Sequence, residues 1–181
     1  IIASSATKLN PHHLYARLFE MKSTMPSFAE EESLWEQGYH LVAGIDEVGR
    51  GPLAGPVLAA AVILPLKLES SWLSLVRDSK KLTPRRRESL SSRIHEQAVA
   101  IGIGEVPSEV IDSSGIMAAT RLAMRLAVEE LPCPPDFLLI DHVRLPEVGL
   151  PQKNITYGDN LSLSIAAASI VAKVKRDSLM V

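Results

Sequence analysis

Two apolar runs joined by a turn rich in glycine and proline constrain the fold of this chain more than any other feature. Residues 41–47 (LVAGIDE) and 57–64 (VLAAAVIL) have the length and the composition of buried β-strands. Residues 48–56 between them contain three glycines and two prolines, which predict a turn. Strands joined in this way are typical of an antiparallel hairpin. We therefore expect the two runs to be neighbouring strands of one sheet.

The rest of the chain alternates helix signals with strand signals. Thr83 followed by Pro84 predicts the start of a helix, because threonine is a good cap and proline is favoured in a first turn. The other predicted elements are strands at residues 100–106 and 137–140 and helices at residues 117–131 and 162–176. This order indicates an α/β fold with a mixed central β-sheet flanked by helices.

Residues 1–40 precede the hairpin and have a helical pattern of their own. Leu14, Leu18 and Met21 recur at helical spacing, the pattern breaks near Pro26, and it resumes over residues 30–37. We interpret residues 1–40 as a helical lead-in and residues 41–181 as one domain.

Composition excludes several classes of protein. A single cysteine, Cys133, excludes an internal disulfide framework and favours the cytoplasm. No apolar run is long enough to cross a bilayer, so we expect no membrane association. A net charge of −2 does not indicate a nucleic-acid-binding protein. Basic residues crowd two segments, residues 80–93 and 173–176, but such runs taken alone are more typical of solvated helix faces.

Acidic residues stand at three places where an apolar element gives way to a loop. These residues are Asp46 with Glu47, Asp141, and Asp159. Because sites in α/β sheets gather at strand ends, acids far apart in sequence can converge there. Carboxylates are the ligands that Mg²⁺ and Mn²⁺ prefer, whereas histidine and cysteine at the spacing of a zinc site are absent from the sequence. Two such ions would suit the hydrolysis of a phosphodiester.

Each acid also has a structural interpretation. Asp159 precedes a helix and, taken alone, is better explained as its N-cap. Asp141 could open a turn after its strand. The alternation of a straight strand would send Asp46 and Glu47 to opposite faces, so a shared site requires a bend there. Spacing alone leaves the metal site and these structural roles open.

Several motifs resemble those of ribonuclease HII, the type 2 ribonuclease H of bacteria, and they occur in the family's order. They are GIDEVGRGPLAGPV at residues 44–57, DSKKL at 78–82, LLID at 138–141, and GD at 158–159 followed by SIAAASIVAKV at 164–174. The resemblance implies a ribonuclease H-like fold and makes residues 41–181 the catalytic domain. It also implies cleavage of RNA in RNA–DNA hybrids, and at single ribonucleotides in duplex DNA, with Mg²⁺ or Mn²⁺ and with 5′-phosphate and 3′-hydroxyl products.

The resemblance assigns roles to particular residues. It implies that the metal-binding catalytic acids are Asp46, Glu47, Asp141 and Asp159. It implies that Gly49, Arg50 and Gly51 recognise the ribose 2′-hydroxyl, the group that distinguishes RNA from DNA. The residues expected to contact backbone phosphates, without reading sequence, are Ser79, Lys80, Lys81, Ser164, Ser169 and Lys173.

Two features depart from the family's pattern. His142 follows Asp141 where the family usually has glycine, and we favour a surface loop histidine over a functional one. Family members continue beyond the position of Val181 with a tyrosine-bearing segment, so we expect that segment to be missing and recognition of the RNA–DNA junction to be weaker. A folded hybrid-binding module with little activity is therefore the alternative function. A DNA nuclease of the same fold, indifferent to the 2′-hydroxyl, is a third possibility, and we expect a monomer.

Overall fold

Helices and strands alternate along the described part of the chain. The computed structural model describes residues 25–51 and 55–180. The helices and strands of this part are α1 (Ala29–Glu36), β1 (Val42–Val48), β2 (Val57–Ile63), α2 (Pro84–Gln97), β3 (Ala100–Val106), α3 (Ser108–Ser114), α4 (Ile116–Glu129), β4 (Phe137–Asp141), β5 (Gln152–Ile155) and α5 (Leu163–Leu179).

The five strands form one mixed sheet in the order β3-β2-β1-β4-β5. β1 and β2 pair antiparallel, as do β2 and β3, whereas β4 lies parallel to both β1 and β5. The carboxyl ends of β1, β4 and β5 therefore point to the same edge of the sheet. This edge is where acids at the ends of different strands can meet.

The strands carry apolar side chains on both faces because helices cover both faces. On β2, Ala59 and Ala61 belong to the core beneath α4, and Ala60 and Val62 belong to the core beneath α2 and α5. All four side chains are fully buried. A strand covered on both sides reads as a continuous apolar run, which explains the pattern of residues 57–64.

Most of the predicted elements are confirmed. The hairpin, the strands at 100–106 and 137–140, and the helices that follow Thr83 and cover 117–131 and 162–176 are present with small shifts at their ends. The helix predicted over residues 30–37 is confirmed as α1, and the helical pattern predicted around Leu14, Leu18 and Met21 lies outside the described residues. α3 and β5 were not predicted from the sequence. β5 gives no apolar run, because three of its four residues are polar, as an edge strand allows. Within the described residues no helix is both long and apolar enough to span a membrane.

Gly44→Ala is expected to lower the free energy of unfolding by about 3 kcal/mol or more. A Cβ atom at Gly44 would overlap the backbone of Ser164 and Ile165, so α5 would have to move away from β1. Urea denaturation followed by circular dichroism measures the change. Gly149→Ala is the matched control, because a Cβ atom there meets no described atom within 4 Å. Equal stability of the two variants would contradict the close approach of α5 to β1.

Candidate active site

Four carboxylates gather where the three parallel strands end. Asp46 and Glu47 lie near the end of β1, Asp141 is the last residue of β4, and Asp159 lies in a short 3₁₀ helix after β5. They surround a cavity of about 430 Å³, into which Glu47, Asp141 and Asp159 open directly. Asp46 is only 6% exposed, and it interacts electrostatically with the other three.

Local hydrogen bonds hold these acids in place. Asp46 Oδ1 accepts from the backbone N–H of Glu47 at 2.8 Å, and the Ser169 hydroxyl also hydrogen-bonds the Asp46 carboxylate. Asp141 Oδ1 accepts from the N–H of Gly158 at 2.8 Å. The last bond ties the end of β4 to the turn that carries Asp159. Asp141 and Asp159 are thus linked by one hydrogen bond between the Asp141 side chain and the main chain of the turn.

Asp159 does not cap the helix that follows it. The N-cap of α5 is Ser162, whose Oγ accepts from the N–H of Ile165 at 3.2 Å. Asp159 is nevertheless 7% exposed and lines the cavity. The structural interpretation that the sequence favoured for Asp159 taken alone is therefore wrong.

Burial and mutual repulsion raise the pKa of three of the four acids. Burial is the largest cause for the pKa of Asp46, which lies well above its usual value, and the charges of Glu47 and Asp141 raise it further. Burial likewise raises the pKa of Asp141, against an opposing hydrogen bond from Gly158. The pKa of Asp159 rises to about 6 through burial and the nearby charges of Asp78 and Asp141. The site therefore carries more negative charge than its surroundings stabilise.

A divalent cation would fit this set of donors. All four side chains offer hard oxygen ligands, and Glu47 Oε2 is buried without a hydrogen-bond partner in the described part of the chain. The other oxygen, Oε1, accepts from Arg50 Nη1 at 2.9 Å. Among the described residues, no three acidic, histidine or cysteine side chains already stand together as a ready ligand set. Metal binding would therefore require these side chains to turn toward a common point.

The turn after β1 depends on glycine and on a buried arginine. Gly49 has φ +108°, a conformation that favours glycine. Arg176 of α5 is 6% exposed and donates from Nε to the carbonyl oxygen of Pro56 at 3.1 Å. A Cβ atom on Gly49 or Gly55 would lie 3.0 or 3.3 Å from the Arg176 guanidinium. Arg176 therefore supports this turn from beneath.

Sequence reasoning missed the role of Arg176 because it grouped this residue with a solvated basic run. A signal was available in the helical spacing. Arg176 lies seven residues after Ser169, so both belong to the same face of α5, the face that packs beneath the site. The cavity lining also includes residues that were not predicted from the sequence to belong to the site, namely Asp78, His142, Thr156, Tyr157 and Asn160.

The residues predicted to contact phosphates fall into two groups. Lys80 lines the cavity, Lys81 Nζ donates to Asn160 Oδ1 at 2.8 Å, and the hydroxyls of Ser79 and Ser169 lie 2.9 Å apart. Lys80 is thus at the cavity, and the other three are linked to it through hydrogen bonds to Asn160, Asp46 or each other.

The structure does not bring the other two to the cavity. Ser164 is 1% exposed, and its N–H donates to Glu31 Oε1 at 2.9 Å. Lys173 Nζ donates to Asp177 Oδ1 at 2.6 Å. His142, by contrast, is an exposed loop residue that lines the cavity, and its charge lowers the pKa of Asp141.

Comparisons with known proteins point to one family. The family model described as Ribonuclease HII matches residues 43–181. Ribonuclease HII of Dehalococcoides mccartyi is 56% identical over 155 residues, which cover 86% of this chain and 74% of the relative. Ribonuclease HII of Desulfitobacterium hafniense is 53% identical over 165 residues, covering 91% of this chain and 62% of the relative.

Solved structures are similar in fold as well. Ribonuclease H2 from Pyrococcus horikoshii OT3 aligns with a TM-score of 0.60 and 26% identity, over 77% of this chain and 73% of that chain. Ribonuclease HII from Archaeoglobus fulgidus, solved in complex with PCNA, aligns with a TM-score of 0.60 and 28% identity over the same shares. The mixed five-stranded sheet flanked by helices is thus a ribonuclease H-like α/β fold, as the sequence predicts.

Proposed function

This chain belongs to the ribonuclease HII family of endoribonucleases, and we propose that it cuts RNA–DNA hybrids, and duplex DNA at single embedded ribonucleotides, by two-metal-ion hydrolysis. The observation that carries the proposal is the gathering of Asp46, Glu47, Asp141 and Asp159 around one cavity, beside the turn that begins at Gly49. The negative charges of these acids repel one another, so the site favours cations. A phosphodiester is itself an anion and would not relieve this repulsion.

The four acids would hold Mg²⁺ or Mn²⁺, which when bound would activate water and stabilise charge on the phosphoryl group. Lys80 stands at the same cavity and offers its ammonium group to a phosphate oxygen. Attack of water on phosphorus forms one P–O bond and breaks the bond to the 3′ oxygen. One fragment therefore ends in a 3′-hydroxyl and the other begins with a 5′-phosphate.

Selection of a ribonucleotide is assigned to the turn at Gly49, Arg50 and Gly51. Among the described residues, a Cβ atom at Gly51 would meet nothing within 4 Å, so no described residue blocks the approach of a sugar to its backbone. Arg50 is partly exposed at the rim and bonds Glu47, which places the turn and a proposed metal ligand in direct contact. This contact would link recognition of the 2′-hydroxyl to the site of cleavage. Contacts of Ser79 and Lys81 with the phosphate backbone of the substrate would add affinity without reading the base sequence.

Hydrolysis of an RNA–DNA hybrid with and without divalent metal tests this proposal. We expect a hybrid labelled on its RNA strand to be cut in Mg²⁺ or Mn²⁺, to stay intact in EDTA, and to give fragments with 5′-phosphate and 3′-hydroxyl ends. Cleavage that persists in EDTA would contradict metal-dependent catalysis. Salt-sensitive binding of the hybrid without cleavage in either metal would instead select the hybrid-binding module.

A further inference from the structure

Three arginines surround a small groove beside the candidate active site. Arg77, Arg86 and Arg93 line it, together with Leu82 and Leu90, and its volume is about 180 Å³. We call this surface the arginine groove. None of its three arginines was selected as a site residue from the sequence, and the cleavage chemistry described above does not use them.

The geometry of α2 brings two of these arginines to one face. Arg86, Leu90 and Arg93 lie at positions i, i+4 and i+7 of the helix, so they form a single stripe. Leu90 is 4% exposed and fixes this stripe against the core. A rise of about 1.5 Å per residue separates the Cα atoms of Arg86 and Arg93 by about 10 Å along the helix axis. Arg77 reaches the same groove from the segment before the helix.

The charge of the arginine groove is not balanced within the described part of the chain. No carboxylate lines it, and Arg86 and Arg93 form no ion pair there, although Glu96 lies three residues after Arg93. The side-chain contact of Arg77 is with Met25 Sδ, at 3.9 Å. Arg87, the neighbouring residue, shows the contrast, because its guanidinium bonds Asp177 and two backbone carbonyls. In a chain with net charge −2, three guanidinium groups around one groove that form no ion pair with any described residue favour an external anion.

The arginine groove adjoins the cavity of the carboxylates. Residues 77–82 separate the two, with Arg77 and Leu82 in the groove and Asp78 and Lys80 in the cavity. Arg87 Nη1 donates to the carbonyl oxygens of both Ser79 and Leu82, at 3.2 and 2.7 Å, and so holds this segment in place. A polyanion that passes through the cavity can therefore continue over this segment into the groove.

We propose that the arginine groove binds the sugar–phosphate backbone of the duplex substrate, away from the nucleotide that is cut. The inference rests on the proposed function in one respect, namely that the ligand of the site is a nucleic-acid duplex. Guanidinium groups match phosphate oxygens in a bidentate geometry and remain charged at every physiological pH. The contact does not depend on base sequence or on the 2′-hydroxyl. It therefore applies equally to hybrid and to all-DNA duplexes.

The salt dependence of duplex binding tests the arginine groove separately from catalysis. The probe is a fluorescein-labelled all-DNA duplex, and its dissociation constant is measured by fluorescence anisotropy for the wild type, for R86Q/R93Q, and for the control R121Q/R125Q. The control removes two arginines from α4, which does not line the groove. Each lost phosphate contact makes the negative slope of the logarithm of the association constant against the logarithm of the salt concentration shallower by about 0.9. Between about 50 and 200 mM salt, the wild type should therefore lose about twelvefold more affinity than R86Q/R93Q.

A wild-type slope in R86Q/R93Q would overturn the proposal, as would an equal loss of slope in the control. If circular dichroism shows that the double variant is unfolded, Arg93→Gln alone takes its place with an expected slope change of about 0.9. Cleavage of a hybrid by the wild type, run in parallel, reports on the proposed function. If the wild type does not cleave the hybrid but the salt slopes of the wild type and R86Q/R93Q differ as expected, the result counts against the proposed function and supports the groove. Cleavage with no slope difference would count against the groove alone.

Discussion

Asp46→Asn is expected to lower the rate of cleavage by at least about a thousandfold, which corresponds to about 4 kcal/mol of transition-state stabilisation. Asparagine keeps the shape of the side chain and its Oδ1 atom, so the hydrogen bond from the Glu47 N–H is preserved. The variant loses the negative charge at the most buried of the four acids, and with it the capacity to hold a divalent cation. Cleavage of a labelled hybrid in saturating Mg²⁺ measures the effect.

The same variant is expected to be more stable than the wild type in EDTA at neutral pH. Burial and the charges of Glu47 and Asp141 raise the pKa of Asp46 in the folded state above its value in the unfolded chain. The folded protein therefore binds more protons between these two pKa values, and its free energy of unfolding falls as the pH rises through that window. Asparagine does not titrate, so Asp46→Asn removes this loss. Urea denaturation from acidic to neutral pH measures the difference.

Asp112→Asn is the matched control for both measurements. Asp112 is an exposed residue of α3 and does not line the cavity. We expect the cleavage rate and the stability of the Asp112→Asn variant to remain close to those of the wild type. Full activity of Asp46→Asn would show that Asp46 is not a catalytic ligand. Lost activity combined with lower stability in EDTA would show instead that Asp46 serves the fold.

The convergence of the acids could be predicted from their positions along the chain. Asp46 and Asp141 each lie at the end of an apolar run, and sites in α/β sheets gather at strand ends, so these acids were expected to converge. The fold class and the hairpin were predictable on the same grounds. The structure adds that Glu47 lines the cavity and bonds Arg50, while Asp46 is buried next to it, so both adjacent residues of the strand lie close to the cavity.

Contacts between distant segments could not be predicted from the sequence. Glu31 is fully buried in α1, where its Oε1 atom accepts from the Ser162 hydroxyl at 2.6 Å and from the Ser164 N–H. Desolvation raises the pKa of Glu31 against these hydrogen bonds. In the sequence Glu31 is one of three consecutive glutamates on a short helix, and nothing local distinguishes it from its neighbours. The contact joins the lead-in helix to the start of α5, the helix that carries Ser169 and Arg176.

The preference for small residues in α5 also has a tertiary cause. Ala166 and Ala167 are almost fully buried where α5 crosses the sheet, and Gly44 lets the two backbones approach closely. The burial of Ser164 on the packed side could not be predicted from the sequence, because helical periodicity does not say which side of a helix faces a glycine of another element.

Cleavage at a single ribonucleotide in duplex DNA tests the central claim most directly. Two duplexes of identical sequence are compared in Mg²⁺ and in Mn²⁺, one all-DNA and one with a single ribonucleotide. The account predicts a cut beside the ribonucleotide and a kcat/KM at least about a thousandfold higher than for the all-DNA duplex, since the all-DNA duplex lacks the 2′-hydroxyl that the turn at Gly49–Gly51 is proposed to recognise. Equal cleavage of the two duplexes, or no cut at the ribonucleotide by a folded protein that holds metal, would contradict it.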